Sequence, residues 1–125
     1  MLKFDANGNL TQNLQLGGSC WKGITSIHID KNQNLYISGG YGNDNFWTTS
    51  SCTCIFDGTS HTTTSTDIFL AKYDSLGNLL WINTIEANQN INTIRLNIDR
   101  NSIFLSGRVS NSNIPIDFGT YTLNY

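Results

Sequence analysis

The chain has 125 residues, of which 13% are charged, 38% hydrophobic and 11% aromatic, and its formal net charge is −2. So weak a charge argues against nucleic acid or an anionic membrane surface as a partner, and no apolar run approaches the roughly 20 residues of a membrane span. The 11 Gly and single Pro suit a β-rich chain with many tight turns, since glycine tolerates the positive φ angles of such turns.

Short alternating segments bounded by turn residues predict an all-β fold with essentially no helix. Within 24–30, for example, Ile27 and Ile29 fall on one face and His28 and Asp30 on the other, which is the period of a half-buried strand. Turn signals such as "DANGN", "DKNQN", "DSLGN" and "DRNS" separate the segments. The predicted strands are residues 2–6, 10–16, 24–30, 34–40, 67–74, 79–85, 93–98 and 102–108.

The chain contains an internal repeat with an offset of 69 residues, from position 3 to position 72. Three separated blocks share this offset, or differ from it by one residue, which indicates a repeated structural unit rather than chance. The aligned pairs are "KFDANGNL" with "KYDSLGNL" (3–10 and 72–79), "TSIHIDKN" with "IRLNIDRN" (25–32 and 94–101), and "NLYISG" with "SIFLSG" (34–39 and 102–107).

The spacing of the strands predicts how the repeat is built. Four successive strands between 24 and 85 are joined by short turns, apart from one long loop at 42–66, and short turns give antiparallel neighbours. Such a sheet, repeated along the chain, is a β-propeller blade; a stacked-hairpin solenoid, with shorter and more uniform repeats, is the alternative. We therefore expect the outer strands of a preceding blade and a connection at 1–22, one complete blade at 23–86, and the truncated inner strands of a following blade at 87–125.

Three segments resemble the bacterial β-propeller repeat family often called SBBP. They are "TDIFLAKYDSLGNLLWINTI" (66–85), "IDRNSIFLSG" (98–107) and "DFG" (117–119), whereas the first copy departs from the pattern, with Gln12 in the place of Trp81. The resemblance implies a propeller scaffold in large secreted or surface proteins, mostly bacterial, and no catalytic residues. The expected location is thus extracellular or at the cell surface, although the N-terminus has no apolar signal region.

The expected function is that of a non-catalytic module in a larger protein. On the family's strand order both ends of the chain cut through a blade, so the sequence is interpreted as a fragment whose partners are further propeller blades. It would serve as a scaffold or as a binding surface for carbohydrate or protein. The alternative is a fragment of a propeller-containing hydrolase or lyase whose active site lies outside this chain.

Three cysteines, Cys20, Cys52 and Cys54, leave one thiol over if any disulfide forms. In a propeller the connection at 17–23 and the loop at 42–66 lie at the same end, so a disulfide from Cys20 to one of the other two is expected. Free thiols and a thiolate metal site remain alternatives. The zinc signal is weak, because there is no second cysteine pair or paired histidine.

Five residues in or beside these loops are candidates for binding. Trp21, Tyr41, Asp44, Trp47 and His61 combine aromatic rings with polar groups, which can stack on a sugar ring or clamp a peptide. The competing interpretation is that the aromatic residues of the long loop pin it to the blade.

Other features of the sequence favour structural roles. Trp81 lies within a strand and is assigned to packing between blades. Asp5 and Asp74 are expected to close Asx-turns, in preference to calcium binding, because their loops lack the pattern of an EF-hand. With His28 and His61 as the only histidines and no nucleophile or phosphate-loop motif, no catalytic residue, metal or cofactor is expected.

Overall fold

The computed structural model describes residues 1–43, 50–86, 90–100, 102–110, 116–117 and 122–123. Every regular element in these residues is a β-strand, as predicted, and none of them forms a helix long and apolar enough to cross a membrane. The strands are β1 (Leu2–Phe4), β2 (Leu10–Asn13), β3 (Leu16–Gly18), β4 (Trp21–Ile29), β5 (Leu35–Gly42), β6 (Cys52–Phe56), β7 (Thr59–Thr63), β8 (Thr66–Tyr73), β9 (Leu79–Ile85), β10 (Asn90–Asp99), β11 (Ser102–Ser110), β12 (Ile116–Asp117) and β13 (Thr122–Leu123).

The central element is a four-stranded sheet in the order β4-β5-β8-β9. All of its pairs are antiparallel: Ile37 lies opposite Ile27 on β4 and opposite Ala71 on β8, and Ala71 lies opposite Ile82 on β9. This confirms the prediction that the four strands between 24 and 85 are neighbours in one antiparallel sheet. Because successive strands reverse direction, the β4–β5 and β8–β9 turns lie at one end of the sheet and the insertion between β5 and β8 lies at the other.

A close approach of backbones fixes a glycine in the middle of this sheet. A Cβ at Gly39 would overlap the carbonyl oxygen of Gly23 on β4, where the register shifts between Ile24 and Ser26. All 8 residues of β5 are buried, so the strand has no exposed side on which a larger side chain would find room. The small residues of the "SGGYG" segment are thus required by packing on both sides.

The two faces of the central sheet carry separate hydrophobic clusters. Side chains of the sheet meet the N-terminal segment and the insertion in the first cluster, and the β10–β11 hairpin in the second. The buried members of the first are Leu14, Cys20, Leu35, Ile37, Tyr41, Cys54, Phe56, Phe69, Ala71 and Tyr73. Those of the second are Tyr36, Leu70 and Leu96, with Trp81, Ile98 and Leu105 partly buried against them.

The prediction of a long loop at 42–66 is wrong, because this insertion contains the hairpin β6–β7. Asp57 and Gly58 join the two strands with φ angles of 45° and 83°, and a two-residue turn with positive φ at both positions is the hairpin turn of type I′. Strand β6 also pairs with β3 in a three-stranded sheet of order β3-β6-β7. The strand predicted at 10–16 is consequently split into β2 and β3, which belong to different sheets.

Three turns share a five-residue pattern, Asp-x-x-x-Asn, and one set of hydrogen bonds. In the first, Asp5 Oδ1 accepts the backbone N–H groups of Asn7 and Asn9, and Oδ2 accepts the Asn9 side-chain amide, each at 2.9 Å. The turns that begin at Asp30 and Asp74 repeat all three contacts at 2.8 or 2.9 Å. These contacts confirm the prediction that Asp5 and Asp74 close Asx-turns.

The same hydrogen bonds lower the pKa of the turn carboxyl groups. For Asp5 and Asp74 the largest cause is the side-chain amide of the asparagine four residues later. For Asp30, desolvation raises the pKa, but hydrogen bonds from Asn34 and the charge of Lys72 bring it below the usual value of 3.8. A lowered pKa in the folded state means that the turns stabilise the fold above this usual value and lose that contribution as the pH falls further.

Substitutions at the fourth position of these turns should change stability in opposite directions. Gly77→Ala is expected to lower the free energy of unfolding by about 1–2 kcal/mol, because φ there is +94° and alanine is strained in that region. The new Cβ would also overlap the side chain of Gln12. Gln33→Gly is expected to raise it by up to about 1 kcal/mol, since Gln33 has a φ of 63° that glycine adopts without strain.

Urea unfolding followed by circular dichroism measures both changes. Gly8→Ala is the matched control for Gly77→Ala, because φ is +85° and the space around a new Cβ is open. It should show the backbone cost without the overlap. A Gln33→Gly protein no more stable than the parent, or a Gly77→Ala protein equally stable, would contradict this account of the turns.

Candidate functional site

The structure joins Cys20 to Cys52 in a disulfide whose Cα atoms are 4.9 Å apart, and Cys54 is a buried thiol. The register of the β3–β6 pair explains which cysteine is used. Gly18 lies opposite Cys54, so that continuing the register by two residues places Cys20 opposite Cys52. Cys54 therefore faces a residue without a side chain, while Cys52 faces the only partner that the connection supplies.

Backbone contacts hold the two halves of the disulfide together. The N–H groups of Ser19 and Cys20 both donate to the carbonyl oxygen of Thr53, at 2.8 and 3.3 Å, and the Thr53 N–H donates to Ser19 Oγ at 3.1 Å. At Gly18, φ is +92° and a Cβ would overlap the same carbonyl oxygen. A glycine at this position therefore allows the connection to approach the insertion hairpin closely enough for the disulfide.

The remaining thiol is placed for packing rather than for reaction. Cys54 is fully buried in the first cluster, and burial raises the pKa of its thiol more than the charge of Lys22 and the backbone N–H of Ile55 lower it. Since the thiolate is the reactive form of cysteine, the group stays an unreactive thiol at neutral pH. His61 lies opposite it in the β6–β7 pair.

Four rings pin the insertion hairpin to the central sheet. The centroid of Phe56 is 4.9 Å from that of Phe69 and 5.7 Å from those of Tyr41 and His61, the last two in edge-on contact. Tyr41, expected at an open loop face, is only 2% exposed. Its burial, with the charge of Asp67 nearby, raises the pKa of the phenol to about 12. The ring of Tyr41 thus lies in the core and not on a binding surface.

Trp21 is the candidate that the structure leaves accessible. It is 49% exposed, and its ring lies over two glycines, since a Cβ at Gly23 would be 3.1 Å from it and one at Gly40 would be 3.4 Å from it. The indole therefore lies on the sheet near the disulfide end, with about half of its surface open to solvent. Asp44 and Trp47 lie outside the described residues.

A groove of about 600 Å³ lies at the opposite end of the sheet, against the β10–β11 hairpin. Lys31, Lys72 and Arg100 line it, and the Lys72 ammonium is 4.9 Å from the centre of the Tyr36 ring. Lys31 and Arg100 are equivalent positions of the repeat, 69 residues apart. Sequence reasoning missed this groove because two successive repeats supply its walls, and the shared Lys/Arg position was its only local signal.

The groove has a basic lining, with one carboxylate of its own. Asp30 also lines it, but both carboxylate oxygens already accept hydrogen bonds within the turn. Three cations around one groove attract anionic groups, an effect that weakens as salt is added. The described residues contain no cluster of three or more His, Cys, Asp or Glu side chains able to hold a metal ion.

Comparison with protein-family models, with curated proteins and with solved structures finds no match to this chain. The functional interpretation therefore depends on the geometry of the molecule. That geometry brings together a hairpin fixed by a disulfide, a half-exposed indole at the same end of the central sheet, and a basic groove at the other end.

Reduction of the disulfide is expected to lower the free energy of unfolding by about 3–4 kcal/mol in the chain-entropy model, because Cys20 and Cys52 are separated by 32 residues. Urea unfolding with and without reductant measures the difference, and Cys54→Ala should leave that difference unchanged. Alkylation of the denatured, unreduced protein should label Cys54 alone. Three labelled cysteines in that experiment would rule out the bond.

Proposed function

We propose that the chain is a non-catalytic β-propeller repeat module of a larger secreted or surface bacterial protein, in which it acts as a scaffold. A propeller packs four-stranded antiparallel sheets around an axis, so each sheet is covered by its neighbours on both faces. The observation that carries the proposal is the cover of the central sheet. One face meets the segment that contains β1–β2, and the other meets β10–β11, and each of these hairpins repeats half of the sheet that it covers.

On the following side, β10–β11 repeats β4–β5 and packs on the second cluster. Leu96 is buried there with Tyr36 and Leu70, and the Leu96 N–H donates to Ser26 Oγ at 3.1 Å. The ring of Trp81 makes an edge-on contact with Tyr36 at a centroid distance of 6.1 Å. These contacts support the interpretation of Trp81 as a residue that packs between successive blades.

On the preceding side, β1–β2 repeats β8–β9 down to the irregularity in its pairing. The register shifts just before Phe4 pairs with Leu10, and it shifts at the same place before Tyr73 pairs with Leu79. The segment continues into Leu14, which is buried in the first cluster. Two hairpins of different origin in the repeat thus lie on opposite faces, and a four-stranded unit of 69 residues favours a propeller over a solenoid of shorter repeats.

A scaffold role outside the cytosol agrees with the chemistry of the chain. Disulfides persist in oxidising compartments, and Cys20–Cys52 is one. Burial keeps the Cys54 thiol protonated, and His61 packs edge-on against Phe56. We therefore assign the titratable groups of the insertion to packing, and the partners of the module are further blades of the same protein.

The interface between the central sheet and β10–β11 can be tested at one residue. Leu96 is 9% exposed, so Leu96→Ala should lower the free energy of unfolding by about 2–4 kcal/mol and speed protease cleavage within β10–β11. Leu76→Ala is the control, because Leu76 is 83% exposed in a turn and its loss should cost less than about 0.5 kcal/mol. Equal effects of the two substitutions would contradict the packing of this hairpin as part of a blade.

A lengthened chain tests the propeller itself. Gly39 and Gly107 are equivalent, so residues 1–107 followed by residues 40–125 contain one additional blade, with Cys52→Ser in the added copy because it has no partner. The free energy of unfolding and its denaturant dependence should both rise, since another interface forms. Small-angle X-ray scattering should show a curved, compact particle, whereas a straight rod would support the solenoid and an unchanged stability would contradict both.

A further inference from the structure

We infer that the free edges of β1 and β11 pair with each other between two copies of this chain, which completes a second four-stranded blade in a head-to-tail assembly. The inference rests on the proposed blade architecture, because it takes the complete blade as the template for the incomplete one. The partner is therefore a second copy of this chain.

Each of the two strands has one unpaired edge. In the part of the chain that the structure describes, β1 pairs with β2 alone and β11 with β10 alone. Their equivalents in the central sheet are β8 and β5, and these two strands pair with each other. An exposed strand edge recruits another strand through its backbone groups, and here both edges of the missing pair are present on the same chain.

The internal repeat specifies the register of this pairing. In the central sheet Leu35 lies opposite Tyr73, Tyr36 opposite Lys72, and Ile37 opposite Ala71. Equivalent residues lie 68 positions later for β5 and 69 positions earlier for β8. The transferred pairs are Ile103 with Phe4, Phe104 with Lys3, and Leu105 with Leu2, the second residue of each pair belonging to the second copy.

Equivalent side chains are buried in the complete blade and exposed in the incomplete ones. Tyr73 is 0% exposed but Phe4 is 55% exposed, and Tyr36 is 8% exposed but Phe104 is 57% exposed. Sequence equivalence thus places large apolar side chains at interior positions of a blade, and the single chain leaves them in water. Contiguous exposure of this kind marks an interaction surface.

The same assembly covers a further exposed patch on the central sheet. Within one chain, Leu96 packs in the cluster that contains Tyr36. The residues equivalent to these are Ile27, 69 positions before Leu96, and Phe104, 68 positions after Tyr36. Phe104 of one copy should therefore lie on Ile27 of the next, which accounts for the exposure of the Ile27 side chain in the single chain.

Head-to-tail pairing has to close, because an open series would leave free edges at both ends. Each chain supplies one complete blade and the two halves of another. Propellers contain about four to eight blades, so a closed ring of this chain needs about two to four copies.

A cross-linking experiment tests the register directly. One chain carries Leu105→Cys and another carries Leu2→Cys, both with Cys54→Ala so that no other free thiol is present. Directly opposed residues have Cα atoms within disulfide reach, so oxidation of the mixture should give a disulfide-linked pair of chains. The matched control replaces Leu2→Cys with Phe4→Cys, a diagonal position beyond that reach, and should give little product.

Sedimentation equilibrium tests the assembly without cross-linking. The unmodified chain should have a mass between about two and four times 13.9 kDa, and Phe104→Asp should reduce it to a single chain. Circular dichroism should remain that of the parent, because Phe104 is exposed in the single chain. A monomer at every concentration, or equal cross-linking in both registers, would overturn the inference, while the lengthened chain judges the blade architecture separately.

Discussion

The fold depends on a sheet that is apolar on both faces. All 8 residues of β5 are buried, with Leu35 and Ile37 in one hydrophobic cluster and Tyr36 in the other. A sheet of this kind is stable only between two layers that exclude water from both faces. The described segments outside the sheet meet this demand, since Leu14 and the insertion close the first cluster and Leu96 closes the second.

The strands of the central sheet could be predicted because their signals are local. Alternation and turn residues act within a few positions, and the Asx-turns at Asp5 and Asp74 follow from the same short pattern. The insertion hairpin was missed because Ser, Thr and Cys dominate its sequence and hide the alternation. The Asp57–Gly58 pair was a local turn signal, but the contact that fixes the hairpin, Phe56 on Phe69 at 4.9 Å, joins residues distant in sequence.

Prediction of the candidate site stopped where register begins. Topology brought Cys20 to the same end of the sheet as the insertion, but the choice of Cys52 depends on pairing that places Cys54 opposite Gly18. Tyr41 was expected to be open for the same reason: a loop leaves the end of a sheet exposed, whereas a hairpin anchored by Phe56 covers it. Both outcomes follow from one missed element rather than from separate errors.

The two stabilising devices of the chain act at different places. The disulfide and Phe56 close the first cluster with residues of the same chain, so the central sheet keeps this cover without a neighbouring molecule. The exposed side chains of Phe4 and Phe104, by contrast, are covered only when another strand is added to each edge. Assembly and folding should therefore be separable: a substitution such as Phe104→Asp removes the neighbour but leaves the central blade folded. Mass and unfolding have to be measured independently, because a change in one does not imply a change in the other.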